Sequence, residues 1–596
     1  GGEVKMREQS PVRGFHSSVD PRLHFGFSRD DVEGLSGELG SHVEPLAIDS
    51  LLVVWPDRSY QWLKDVELNQ RLTLFESEAS GLLEQAMLRR LLHPSETIFE
   101  RNQVSFEPEY RHRENLFSDF EQEPLLPFRL STRGPGSAVA DLNADGLDDL
   151  YLGGAKGQPG RVYLQTSDGH FRASDSTMRE VDAGKEDTDA LFLDATGDGR
   201  LDVIVTSGGF QFEGDPTELT DRLYIHDREG SFSFSINSLP LVGSNTSSMT
   251  AADMDLDGDM DLFTGGDTAP WNYGIASESK LLRNNGKGVF ELVTEELAPG
   301  IETIGMVTDA VWAVKSKESR PELILAGEWM HPIVYAWNQN KFVDVSQEWG
   351  LTGYAGLWQV LEVADVNGNG HLDLIAGNFG LNTRMKASRE YPMRMYTGDF
   401  AKTGLKVPFV TQTDRSGEYP FDHTDEILGA LSWLRFEYPT ARSFATTPFP
   451  DLFEDEFVDS AIVQTITELR SMLFLNDGKT YRAVPLPDEA QTFPVQAIVT
   501  GDFNNDGLID IVLGGNRVDL KPTYGGKQDA GLGLLLLNRA NGQFEAVPPA
   551  RSGLFVKGEI RNLHVVRSPG ETDRLLIVRN NDTPIMYSYR TDQVQE

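Results

Sequence analysis

One nine-residue pattern, D-x-[D/N/T]-x-[D/N]-G-x-x-D, recurs five times in this 596-residue chain, and it limits the possible folds more than any other feature. The copies are Asp141–Asp149 (DLNADGLDD), Asp194–Asp202 (DATGDGRLD), Asp253–Asp261 (DMDLDGDMD), Asp365–Asp373 (DVNGNGHLD) and Asp502–Asp510 (DFNNDGLID). A short apolar stretch of strand length, such as Ala190–Leu193 or Ala497–Thr500, precedes each copy, and another follows it. Four of the following stretches end in a glycine pair, at Gly153-Gly154, Gly208-Gly209, Gly265-Gly266 and Gly514-Gly515, whereas the copy at Asp365 ends Gly377-Asn378. A hairpin pattern comes next in all five, for example LLRNNGKGVF and LLLLNRANGQF. The unit therefore reads strand–loop–strand–strand–turn–strand.

Spacing sets the number of units. The first two steps between motif starts are 53 and 59 residues, and the third, from 253 to 365, is twice that. A unit without the motif fills the gap as TDAVWAVKSKESRPELILAGEW, with Asp309 read as its first motif position. The step from 365 to 502 holds one unit plus an insertion at Gly380–Ser471, and RNLHVVRSPGETDRLLIVRNN with Ile585–Tyr589 makes a last unit. Seven four-stranded units predict an all-β, seven-bladed β-propeller. The units lack the 3.6-residue period that helical bundles or α/β folds require.

Oxygen ligands at positions 1, 3, 5 and 9 with glycine at position 6 describe a cage for a hard cation, and a flexible loop of six or seven oxygens favours calcium over magnesium. The ligand sets are Asp141, Asn143, Asp145, Leu147 and Asp149; Asp194, Thr196, Asp198, Arg200 and Asp202; Asp253, Asp255, Asp257, Asp259 and Asp261; Asp365, Asn367, Asn369, His371 and Asp373; and Asp502, Asn504, Asp506, Leu508 and Asp510. The varied position 7 fits a backbone carbonyl ligand. An EF-hand would need glutamate at position 12, where Leu152, Val205, Thr264, Ala376 and Leu513 stand. Up to five structural Ca²⁺ are expected. The loop at Asp365, with only two carboxylates, should bind most weakly.

Composition narrows the partners. With 92 Asp+Glu against 53 Lys+Arg the net charge is −39, which argues against nucleic acid as a partner. Zero cysteines exclude disulfides, catalytic thiols and cysteine-ligated metals. No apolar run is long enough to span a bilayer. The chain opens Gly1-Gly2, read as a processed piece of a longer polypeptide.

The five loops and their glycine strand ends resemble FG-GAP/VCBS repeats, the calcium-bearing blades also found in integrin α-subunit heads. Nearer the front, SSVDPRLHFGF (Ser17–Phe27), IDSLLVVWPD (Ile48–Asp57) and LKDVELNQRLTLFE (Leu63–Glu76) resemble the ASPIC/UnbV domain. That domain is associated with cartilage acidic protein-like chains and with surface proteins of Bacteroidota-type bacteria. The resemblance implies integrin-α-like calcium loops and an extracellular or cell-surface location, associated with the outer membrane in a bacterium. Residues 1–77 then form a small β-domain, 78–135 a connector with one helix, and 136–596 the propeller, with 380–471 a partly helical insertion in the fifth unit.

Departures from the repeat are where a partner site is expected. The insertion opens with Arg384, Lys386, Arg389 and Arg394, and the loop at 516–531 adds Arg517, Lys521 and Lys527. These cations suit an acidic protein surface or a polysaccharide, although pairing with neighbouring carboxylates would consume them. Trp329 and Trp358 are read as packing between units more readily than as sugar platforms. No HExxH, GxSxG or phosphate-binding GxxxxGK[ST] occurs. The reading is a non-catalytic, calcium-stabilised surface or scaffold protein whose partner is a surface protein complex or a polysaccharide. The alternative is a polysaccharide lyase or hydrolase with its site over the channel, and a role in natural-product assembly ranks third.

Overall fold

In the computed structural model of the chain the described residues are 23, 47–57, 59–67, 69–82, 97–174, 180–212, 217–227, 230–315, 319–570 and 572–589. The expected helix of the connector falls on residues 83–96, outside them, as does all of Ser17–Phe27 except residue 23. The chain divides into two compact units, residues 1–95 and 96–596.

In the first unit, Ala47–Val54 and Tyr60–Glu67 form an antiparallel hairpin, with Val54 opposite Tyr60 and Ala47 opposite Glu67. The Pro56-Asp57 turn closes because Asp57 Oδ1 accepts from the Ser59 amide at 2.7 Å. Among the described residues the RLTLF stretch, Arg71–Phe75, joins no ladder and runs into a short 3-10 turn at Glu76–Glu78.

In the second unit, seven sheets of four or five strands, each built on a core of antiparallel neighbours, follow one another among the described residues. They arise because strand-length apolar runs alternate with glycine- and Asx-rich turns, so each strand meets its sequence neighbour. The first strands are Ser137–Ala140, Asp187–Leu193, Thr246–Ala252, Met306–Ala313, Val360–Ala364, Val495–Gly501 and Glu559–Ser568. Each touches the next in this order, and the last touches the first. One apolar cluster fills each space between neighbouring sheets, including that between the last and the first, where Leu576 and Val578 pack with Leu150 and Tyr163.

The stretch read as a connector also contributes strands. Phe99–Asn102 pairs antiparallel with Ile585–Tyr589 as the outer strand of the seventh sheet, and Phe106–Glu107 lies parallel to Phe171–Ala173 on the first. Phe99, 1% exposed, reaches Phe503 and Tyr589 with ring centroids 5.5 and 5.7 Å away.

The insertion leaves the fifth sheet between its second and third strands, Asp373–Gly377 and Met472–Asn476. It carries a separate four-stranded antiparallel sheet of Gly417–Pro420, Val407–Asp414, Met393–Gly398 and Ile462–Ile466, with short helices packed on it around Phe400, Phe409, Leu434 and Phe449. Within the partly helical insertion, DEFVDSAIVQTITELRS is helical only at Asp455–Asp459, because the β-branched Ile462–Ile466 run pairs with Met393–Thr397 instead.

A second apolar cluster lies where the chain leaves the second strands. Trp329, near the end of a second strand, and Phe210, Phe379 and Tyr524, from the segments that follow three other second strands, pack there with Leu126, Phe128 and Leu130 of the entering segment and Met393 and Met395 of the insertion. Beneath it Arg133 bonds Asp267 (Nε to Oδ2, 2.9 Å) and Glu328 (3.1 Å), while Tyr273, Gln359 and Arg517 also converge on Glu328.

Candidate metal loops

All five loops share one set of backbone contacts, which follows from their residue types. The first Asp accepts from the amides of residues 5 and 6 of its own loop, as when Asp141 takes the Asp145 and Gly146 amides at 3.1 and 2.9 Å. Asp194, Asp253, Asp365 and Asp502 repeat the arrangement. The tight turn needs a left-handed residue at position 6, where Gly258 has φ 99° and Gly146 87°.

The ninth residue is fully buried in every loop: Asp149, Asp202, Asp261, Asp373 and Asp510 are each 0% exposed. One oxygen accepts from the amide of loop position 2, and the other from the amide that ends the third strand. For Asp261 these are Met254 at 3.1 Å and Asn284 at 2.8 Å. The loop is thereby pinned to its own sheet. Burial pushes these carboxyls up, to about 7 for Asp149 and Asp261 and about 6 for Asp202, Asp373 and Asp510.

The ligand atoms of Asp253, Asp255 and Asp261 lie within 4.8 Å of one another. Asp255 Oδ1 and, in the second loop, Thr196 Oγ1 are buried without a hydrogen-bond partner among the described residues. Three like-charged oxygens that close, with an orphaned ligand atom among them, fit a cation. Two loops differ. Arg200 holds Asp198 in an ion pair, and Asn367 Nδ2 donates to both oxygens of Asp373 at 3.2 and 2.9 Å.

Residues 141–205 match the FG-GAP-like repeat model, and residues 39–81 match the ASPIC and UnbV model. The chain carries an FG-GAP-like repeat and an ASPIC/UnbV domain. No curated protein sequence matches it. Similar solved structures include the V. cholerae biofilm matrix protein Bap1 (12% identity, 76% of each chain, TM-score 0.31) and BBS1N in complex with ARL6DN, soaked with mercury (10%, 79% of this chain and 97% of that one, 0.36). A third is the Dos1 propeller (10%, 78% and 95%, 0.34). The FG-GAP match takes in the first two loops and the four strands between them.

Outside that match, the unit without the motif needs a correction. Asp309 is not its first motif position. It lies within the strand Met306–Ala313, in the same Thr-Asp-Ala context as Asp189, and Val314, 51% exposed, follows that strand where a loop Asp follows five of the other first strands. Asp189 Oδ2 accepts from Met249 and Asp309 Oδ2 from Leu361, at 2.8 and 2.7 Å, so each ties its first strand to that of the next sheet. Both line a cavity of ≈ 160 Å³ among the first strands, and a wider one of ≈ 620 Å³ is bordered by Asp141, Glu362, His564 and Arg567.

The basic residues divide. Arg384 bonds the carbonyls of Thr523 and Phe421 and stacks on Phe421, bringing the insertion and the 516–531 loop together. Arg389 lies over Tyr354, and Arg394 pairs with Glu418 at 2.9 Å. Arg517 (2% exposed) and Lys521 (6%) are not surface groups: Arg517 bonds Asp519 over the Phe128 ring, and Lys521 bonds the Pro124 carbonyl. Arg384, Lys386, Arg389 and Lys527 remain exposed. Trp329 (5%) and Trp358 (0%) are buried, as packing requires.

Sequence reading missed two groups. Asn284 and Asn538 each reach a neighbouring loop with the side chain, and the signal was the asparagine recurring after LLR and LLLL in the hairpins. Asp399 takes the amides of Thr403 and Gly404 at 2.9 Å, as the loop aspartates do, but Ala401 and Val407 stand at positions 3 and 9, so the loop has lost its ligands.

Buried acids away from the loops give a pH prediction. Burial pushes Glu114 and Glu123 up to about 8 and Asp309 to about 7. Their folded values exceed the unfolded ones, so their stabilising contribution is complete below about pH 4 and is lost as pH rises towards 8. Calorimetry in chelator should show the melting temperature falling between pH 5 and 8, with a smaller fall in Glu114→Gln. A rise over that range in both proteins would contradict the assignment.

Proposed function

We propose that the second unit is a seven-bladed, calcium-stabilised propeller that acts as a non-catalytic binding or scaffold protein outside the cell or at its surface. The observation that carries this is the common loop geometry, in which five buried ninth-position carboxylates are held in place by backbone amides and need a counter-charge. Calcium supplies it through Asp, Asn and Thr oxygens at positions 1, 3, 5 and 9, and the carbonyl of position 7 completes the set. The ring of first-strand contacts supports seven blades, and the match to an FG-GAP-like repeat supports the calcium reading. Millimolar calcium outside cells would fill such loops. The loop at Asp365 is the weakest, since Asn367 and Asp373 already satisfy one another.

The proposed partner is a surface protein complex or a polysaccharide, with Arg384, Lys386, Arg389 and Lys527 as the exposed cations offered to it; association with an outer membrane belongs to the same proposal. The test incubates the protein and calcium with neutral and sulfated polysaccharides, following retention and new reducing or unsaturated ends. The expected result is an unchanged chain-length profile, with any retention weakened at least threefold in Lys386→Glu/Lys527→Glu. New chain ends would overturn the non-catalytic reading in favour of a polysaccharide-active enzyme.

A further inference from the structure

The five loops are not equally connected to one another. The Ala195 carbonyl, at position 2 of the second loop, accepts from Asn284 Nδ2 of the third sheet at 3.0 Å, and the backbone amide of Asn284 donates to Asp261 at 2.8 Å. Ala195 also gives its own amide to Asp202 at 3.1 Å. An unbroken path thus runs from the ninth ligand of one loop to the ninth ligand of the next, Asp202–Ala195–Asn284–Asp261. The same path is built between the loops at Asp365 and Asp502: Asp373 accepts from the Val366 amide (3.1 Å), the Val366 carbonyl from Asn538 Nδ2 (2.8 Å), and Asp510 from the Asn538 amide (2.8 Å).

The other junctions differ in kind. The residue equivalent to Asn284 in the second sheet is His226, whose Nδ1 has no partner among the described residues and whose ring stacks on Phe232. In the first sheet it is Gln165, which reaches the Arg567 carbonyl of the seventh sheet, where no motif loop exists. The position-2 carbonyl of the third loop, Met254, accepts from Arg320 of the fourth sheet, which has no motif loop either.

We propose that Asn284 and Asn538 are positioning residues that couple the metal loops in two pairs, 194–202 with 253–261 and 365–373 with 502–510, and leave 141–149 independent. The coupling rests on the calcium reading given above. Filling one loop fixes its ninth carboxylate and the position-2 residue bound to it, which holds the asparagine and so orders the ninth carboxylate of the next loop before its ion arrives. Coupling of this kind is reciprocal, and an effect of fivefold or more is typical.

The test uses the full chain, calcium alone as the probe, and hydrogen exchange read at each loop across a calcium titration. Disabling the second loop with Asp194→Asn and Asp198→Asn should raise the calcium midpoint for protection of 253–261 at least fivefold, and disabling the third should do the same for 194–202. Asn284→Ala keeps the backbone amide on Asp261 and removes only the side-chain link. In that background the loop knockouts should no longer move each other's midpoints, while Asn538→Ala should act only on the 365/502 pair. The 141–149 midpoint should stay within twofold throughout. Knockouts without effect on the paired loop, or equal shifts in all five loops, overturn the coupling. Absence of calcium-dependent protection in every loop overturns the calcium reading itself, and the coupling with it.

Discussion

Chelating calcium should lower the melting temperature of the 96–596 unit far more than any surface substitution. A site occupied at a hundredfold excess over Kd contributes about 2.7 kcal/mol through mass action, and several sites act together. Loss of the ion also leaves a specific penalty. Asp253, Asp255 and Asp261 face one another within 4.8 Å, and with no cation between them they repel. Each loop holds two strands of its sheet through the ninth carboxylate, so opening it should expose amides 142, 195, 254 and 503 to exchange before the sheets separate. Calorimetry with and without chelator, with calcium and then magnesium restored, measures the effect. Calcium should recover the transition and magnesium should recover it only partly, because a near-octahedral ion fits the loop poorly. In Asp253→Asn/Asp255→Asn the calcium-free protein should melt higher than its parent and gain less from calcium. An unchanged transition on chelation would remove the structural role given to these loops.

Glu328→Ala should destabilise the protein by about 3–5 kcal/mol, the usual cost of leaving a buried ionic partner uncompensated. Glu328 is 0% exposed and receives Arg133 at 3.1 Å, Tyr273 at 2.7 Å and Gln359 at 3.2 Å, with Arg517 at 3.6 Å. Asp267 would still hold Arg133, and the Arg517 guanidinium would keep Asp519, the Arg129 carbonyl, Gln359 and the Phe128 ring but lose the buried charge of Glu328. Glu328→Gln, which preserves shape and one acceptor, should lose less. Urea unfolding of the full chain, read at Trp329, reports both, since its indole donates to the same Tyr273 hydroxyl. A loss below about 1 kcal/mol for the alanine variant would show that the cluster does not hold the entering segment around Arg133 to the sheets.

The repeats were legible because ion coordination fixes residue types at fixed offsets, and flanking apolar runs of strand length follow from the need to bury both faces of each sheet. Legibility ended where that constraint ended. Asp399 and Gly404 keep the backbone of the loop without its ligands, so the insertion showed no motif and its sheet went unseen. Asp309 mimics a first motif position because it is an acid at roughly the repeat spacing, whereas the strand register, matched by Thr188-Asp189-Ala190, sets it five residues earlier in the unit. The basic cluster was visible as charge, but sequence does not show the Thr523 and Pro124 carbonyls or the Phe128 ring that take up Arg384, Lys521 and Arg517. Four-residue Phe99–Asn102 was too short to announce itself as a strand, and its partner lies at the other end of the chain.

That last pairing sets a clock on assembly. Asn102 meets Ser588 across 486 residues, so the outer strand of the seventh sheet leaves the ribosome long before the strand it completes. At 5–20 residues per second the wait is roughly half a minute to a minute and a half. During that time Phe99–Asn102 is an unpaired edge with a large aromatic residue, and the finished Ile585–Tyr589 strand of any other copy offers the same register. Late closure therefore leaves this edge open to strand exchange between nascent chains, which crowding on one messenger would favour and dilution would disfavour.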